Sequence, residues 1–207
     1  MNRKNFYGNE NWKISKTWFK KGLNTPIDDP DDVAVKFICY WITFNSVYSK
    51  YESDEKSEID QIKDFMNKNY EKCFKNIIFF DKSKTEISES KPTLNIERLI
   101  TKDDIDIFLK YPVLDGAKII DENKDYINMM PRRNCWPIIN FQNLVKKKCN
   151  ETRIISLMCI IYKVRCNMFH GYKIADPGRN YELAYYSQII LEKLLYAYFE
   201  NKKIEVY

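Results

Sequence analysis

Histidine is nearly absent from this chain: His170 is the only one in 207 residues. A metal site built on two histidines is therefore excluded. Any histidine acid–base chemistry within one subunit must pass through His170. Glycine is scarce as well, with five residues, which disfavours a turn-rich all-β fold. The six cysteines, Cys39, Cys73, Cys135, Cys149, Cys159 and Cys166, include no Cys-x-x-Cys pair, so neither a zinc site nor another metal or cofactor is expected. No stretch of about 18 apolar residues is present to span a membrane. The opening Met1-Asn2-Arg3-Lys4-Asn5 leads to no apolar run, so no signal peptide is expected, and with free thiols this points to the cytoplasm. Nothing repeats, and no segment is of low complexity. Charge of one sign does not dominate either: 34 basic and 29 acidic residues leave +5. That mild surplus permits a polyanionic partner without demanding one.

What is present is apolar and aromatic. Hydrophobic residues make up 44% of the chain and aromatic residues 15%, enough for a packed interior, and the length suits a single domain over 1–207. The apolar residues recur with helical spacing, so the expected fold class is all-α, a helical bundle. Asn11 to Leu23 reads as a first helix. Asp28-Asp29-Pro30 is a strong helix start. The helix it opens runs to about Lys50, with Ala34, Phe37, Ile38, Trp41, Phe44 and Tyr48 on its apolar face and Asn45 inside that face. Ser57 and Asp60 resemble a capping box. The helix that follows turns Ile59, Ile62, Met66, Cys73 and Ile77 inward and ends near Asp81. Residues 82–134 read as a loop-rich insertion, with one short helix capped by Thr101 and running through Leu109. Pro137 to Cys149 reads as a helix. A long helix from Asn150 or Glu151 ends at Gly171, and a last one spans about Asn180 to Glu200. Cys39, Cys73, Cys159 and Cys166 lie inside helical patterns, where cysteine acts as a small buried apolar residue.

The chemistry concentrates in Val164-Arg165-Cys166-Asn167-Met168-Phe169-His170-Gly171-Tyr172. On a wheel at about 100° per residue, Arg153, Ser156, Lys163, Asn167 and His170 share one side, interrupted by Ile160. Ile154, Met158, Ile161, Tyr162, Arg165 and Phe169 lie opposite. Arg165 therefore points into an apolar face, where an unpaired guanidinium is costly. It must find a carboxylate, a carbonyl, a partner subunit or an anionic ligand. Arg165 and His170 stand about 140° apart on an ideal helix. They meet if the helix ends early and His170 swings on its last turn, or if two copies build one cleft across a dimer. Together they form a minimal kit for cleaving RNA without metal. Histidine takes the 2′-hydroxyl proton or protonates the leaving oxygen, and arginine neutralises the crowded phosphorane. Plainer roles stand beside these. His170 suits a helix C-terminus before Gly171, Arg165 suits an ion pair with a neighbouring helix, and Asn45 suits a core amide bonded to a carbonyl. Lys146-Lys147-Lys148 and Arg132-Arg133 suit either RNA phosphates or solvated turns.

The run Arg165-Cys166-Asn167-Met168-Phe169-His170-Gly171 resembles the signature of HEPN domains, all-helical proteins marked by Arg, four to six residues, then His near the end of a long helix. Trp41-Ile42-Thr43-Phe44-Asn45-Ser46-Val47-Tyr48 resembles an early HEPN helix. The resemblance covers about half the chain and not 82–134. It implies a HEPN-type bundle and a metal-independent endoribonuclease of a toxin–antitoxin, anti-phage or CRISPR-linked system. Arg165 and His170 would be catalytic, Asn167 a polar helper and Asn45 an orienting residue. It further implies RNA as substrate and a homodimer whose two motifs line one cleft. Where HEPN proteins often carry Asn, Asp or His directly after the arginine, this chain has Cys166. The extended pattern Arg-x-x-x-x-His-x-Tyr occurs in HEPN toxins paired with a nucleotidyltransferase antitoxin that modifies the tyrosine, and Tyr172 holds that position. The alternative within the same resemblance is a non-catalytic HEPN module that binds a nucleotide, RNA or protein partner as regulator or scaffold.

Overall fold

The structure, a computed structural model, describes residues 3–49, 56–80, 99–110, 140, 143–144, 149–169 and 177–204. It is all-α. In chain order the helices are α1 (Arg3–Asn24), α2 (Pro30–Tyr48), α3 (Glu58–Asn69), α4 (Lys102–Lys110), α5 (Asn150–Phe169) and α6 (Pro177–Asn201). The helix starts follow the local chemistry. Asp29 caps α2, its side chain accepting from the Asp32 amide, and Pro30 takes the first helical position, where its missing N–H costs nothing. Ser57 caps α3 by accepting from the Asp60 amide, and its hydroxyl donates back to Asp60 Oδ2 at 2.6 Å. Thr101 and Asp104 exchange backbone-to-side-chain bonds at 2.8 and 3.2 Å across the start of α4.

α1 and α2 form an antiparallel hairpin. Ser15 meets Ser46 at 2.5 Å and Gly22 meets the Tyr40 ring, so contacts run in opposite directions along the two helices. α6 closes over both. Phe19 of α1 packs its ring 5.0 Å from Tyr196 and 5.1 Å from Phe199. Tyr40 of α2 donates to Glu192 Oε2 at 2.6 Å. α3 enters through Phe65, whose ring lies 5.5 Å from Phe44 and 5.2 Å from Tyr198. Lys193 of α6 reaches Asp104 of α4 at 3.2 Å. The core is therefore aromatic at its centre and joined by rings from four helices. Among the described residues, no helix is long and apolar enough to cross a membrane.

Three sequence expectations are corrected. The helix expected to run to Asp81 stops at Asn69. A π-helical turn, Tyr70–Phe74, follows, and then a strand, Ile78–Phe80 (β1), pairs in parallel with Leu99–Thr101 (β2), register Ile78↔Leu99. The π turn adds a residue to the helical cycle, so adjacent Cys73 and Phe74 are both buried. The unbroken apolar run from Ile77 to Phe80 carries no period to separate strand from helix. Second, α5 has no polar stripe over its first half. Ile154, Leu157, Met158, Cys159, Ile160, Ile161 and Val164 are all buried, and so is Ser156, which accepts from Asn143 Nδ2 at 3.0 Å. Third, α1 begins well before Asn11, at Arg3. The helix expected over Pro137–Cys149 is described at Asn140, Asn143 and Leu144, which are helical, and at Cys149, which is not.

Candidate functional site

Arg165 sits near the C-terminal end of α5, where the helix emerges from the core. It finds the carboxylate its position demanded. Nη1 lies 3.7 Å from Oε2 of Glu58, the first residue of α3. The other carboxylate oxygen of Glu58 accepts from the Tyr48 hydroxyl at 2.5 Å. The guanidinium also lies 5.7 Å from the centroid of the Trp41 ring and 5.2 Å from that of Phe169, near enough for cation–π attraction to both. Nη1 is 3.8 Å from the Cys166 sulfur. The side chain keeps 26% of its surface exposed, and its Nε is buried with no hydrogen-bond partner in the protein.

This arrangement follows from where the elements end. The Ser57 cap fixes Glu58 in the first turn of α3, facing the last turn of α2. There Tyr48 is buried. α5 then brings Tyr162 to within 6.1 Å of Trp41, ring to ring, and Arg165 follows one turn later. The electrostatics are consistent with the geometry. Burial lowers the proton affinity of Arg165, but the contacts with Cys166 and Glu58 outweigh it and the net shift is upward. Burial, reinforced by the bond to Glu58, pushes the Tyr48 hydroxyl well above the ordinary tyrosine range. Burial pushes Tyr162 up as well, reinforced by hydrogen bonding to Cys166 and Glu58. Both phenols therefore stay protonated and serve as donors.

The other expected residues distribute unevenly. His170 and Tyr172 lie outside the described residues, as do Lys146, Lys147, Lys148, Arg132 and Arg133. Asn167 is half-buried, two residues beyond Arg165, and its amide nitrogen is buried without a partner in the protein. Asn45 is corrected. It is exposed on α2, not buried among Trp41, Phe44 and Tyr48. Because α1 covers α2 at Tyr40 and Thr43, the buried arc of the helix turns away from Asn45, and Ala34 and Ile38 beside it are only half-buried. Glu58 and Tyr48 were not foreseen as site residues. Their only sequence signals were a capping pattern and an apolar face, and neither says which distant arginine they meet. Among the described residues, no three His, Cys, Asp or Glu side chains gather in a way that could hold a metal ion. Comparison with family models, curated proteins and solved structures finds no match to this chain.

Proposed function

We propose that the chain is a HEPN-type, metal-independent endoribonuclease of a toxin–antitoxin, anti-phage or CRISPR-linked system, working as a homodimer. The observation that carries this reading is the state of Arg165. Five residues before the single histidine, its guanidinium is held by two ring faces and one carboxylate, about a quarter of the side chain open to solvent, with the Nε donor unused. In the proposed reaction the 2′-oxygen of the ribose attacks the adjacent phosphorus and the 5′-oxygen of the next nucleotide leaves. His170 accepts the 2′-hydroxyl proton or donates a proton to the leaving oxygen. Arg165 neutralises the charge that builds on the phosphorane. The products are a 2′,3′-cyclic phosphate and a 5′-hydroxyl. Asn167 supplies a donor from the same helix face as His170 on an ideal wheel. Tyr172, two residues after His170, is the position where a nucleotidyltransferase partner would attach AMP and block the cleft by bulk and charge.

One observation favours a second reading, the non-catalytic HEPN module. Glu58 neutralises Arg165 within the same chain, as it would if the arginine served only to tie α5 to α3. RNA incubated in EDTA separates the two. The enzyme reading expects cleavage by the wild type and losses of about 10²-fold or more in Arg165→Ala and His170→Ala. Equal cleavage by the wild type and His170→Ala would overturn it.

A further inference from the structure

A second feature lies between α1 and the end of α6. Trp12 and Lys13, Lys16 on the next turn, and Lys203 and Ile204 at the end of α6 line an open groove of about 460 Å³. Its described lining carries three ammonium groups and no carboxylate, and none of the three lysines makes an ion pair among the described residues. The Trp12 indole stacks on Tyr198 at 6.0 Å with planes 23° apart, so it is held as a fixed, half-exposed plate in the groove wall.

The end of α6 makes Lys203 unusual. The Ile204 amide donates to the Phe199 carbonyl and the Lys203 amide to the Glu200 carbonyl, both at 3.0 Å, the double bond of a Schellman turn. That turn needs a left-handed residue, and Lys203 has φ 53°. Glycine occupies such positions without strain, because a Cβ is disfavoured there. This chain instead keeps a long cationic side chain at the strained position, and that side chain lines the groove. Strain retained at a cation that lines the same groove as an aromatic plate is the kind of outlier that points to a ligand.

We infer that this groove binds one nucleotide unit, the lysines Lys13, Lys16 and Lys203 holding its phosphate and Trp12 stacking its base. The space is within the range of small-ligand pockets. Aromatic stacking beside a basic track is how single strands are held without sequence preference. The unit is either a free nucleotide or a link in single-stranded RNA. The inference does not depend on the role of Arg165 and His170.

The test is equilibrium binding at low ionic strength by the full chain, in wild-type and His170→Ala backgrounds. The probes are AMP, inorganic phosphate and a labelled single-stranded RNA of about ten nucleotides. AMP should bind at least about five-fold more tightly than phosphate, the difference being the stacked base. Lys203→Gly should raise Tm by about 2–4 °C, because strain is relieved, and yet weaken AMP or RNA binding about five-fold. Lys13→Gln with Lys16→Gln should weaken it further. RNA binding much more tightly than AMP identifies the strand as the source, and equal affinities identify the free nucleotide. A more stable Lys203→Gly protein with unchanged affinity overturns the inference, since Lys203 then serves only the helix end. AMP binding no better than phosphate overturns it, as does failure of both AMP and RNA to bind below about 1 mM.

Discussion

Arg165 shows how one misplaced charge can be legible while its partner is not. An arginine on an apolar face demands compensation, and that much follows from spacing alone. That the compensation is Glu58 does not, because 107 positions separate the two and only the packing of α3 on α5 joins them. Magnitudes rank the two bonds Glu58 makes. The Arg165–Glu58 pair is 26% and 34% exposed at its two side chains, so screening reduces its net value to about 1 kcal/mol or less. The Tyr48–Glu58 bond joins a buried hydroxyl to a carboxylate at 2.5 Å and is worth about 2 kcal/mol. Tyr48→Phe should therefore destabilise the fold about twice as much as the coupling found in a Glu58→Gln, Arg165→Met double-mutant cycle. Urea unfolding checks both quantities. A coupling larger than the Tyr48→Phe loss would mean that the ion pair, not the phenol, anchors the site. Asn45 teaches the converse. Its place within an apolar spacing suggested burial, but the arc that α1 covers decides which residues are inside, and one helix's pattern does not contain its neighbours.

At the scale of elements, chain punctuation was the dependable signal. Asp29-Pro30, Ser57 with Asp60, and Thr101 with Asp104 all cap helices where their chemistry placed them. The π turn and the short parallel ladder were illegible for a physical reason. A one-residue insertion in the helical cycle leaves no compositional trace, and a three-residue strand is too short to show alternation. The α1–α2 hairpin rests on a position the pattern also hides. A Cβ at Gly22 would lie 2.5 Å from Tyr40 Cε1 and 2.7 Å from Cδ1. The ring cannot easily retreat, because it is fully buried, packs 5.5 Å from Phe19 and is tethered at its hydroxyl to Glu192. Gly22→Ala gains about 1 kcal/mol of helix propensity and loses about 1–3 kcal/mol to overpacking. The contact is well inside van der Waals range, so the loss should win, and the variant should unfold about 1 kcal/mol more easily in urea. A stabilised variant would show that α1 can slide off α2 at little cost.

At the scale of the whole molecule, α5 is an enclosed helix over most of its length, and a wheel drawn for a surface helix does not describe it. From Ile154 to Val164 nearly every side of α5 is covered, so Ser156 and Cys159 are interior although they lie on the side where polar residues cluster. The same enclosure sets how the fold responds to alkali. Burial pushes the Cys159 thiol from 9.0 up to about 12. Burial first, and then hydrogen bonds to Glu192, to Glu58 and to Cys166 with Glu58, push the Tyr40, Tyr48 and Tyr162 hydroxyls above 10.0. Each group is neutral when protonated, and the folded state holds the proton more tightly than the unfolded chain. Above pH 9 the unfolded chain therefore binds fewer protons, and stability falls as pH rises, by about 1.4 kcal/mol per pH unit for each proton released in full. Below that range these groups have the same charge in both states and contribute no slope. Thermal unfolding under reducing conditions should thus give a Tm insensitive to these groups between pH 7 and about 8.5, and a steepening fall beyond about 9.5. In Cys159→Ala the Tm is lower at neutral pH through the lost packing. Its alkaline fall should be shallower by the slope of one thiol, while the Cys39 and Cys73 thiols, also pushed up by burial, keep the onset at about pH 9. A wild-type Tm that stays flat to about pH 10.5 would mean that these protons are no better held in the folded core than in the open chain.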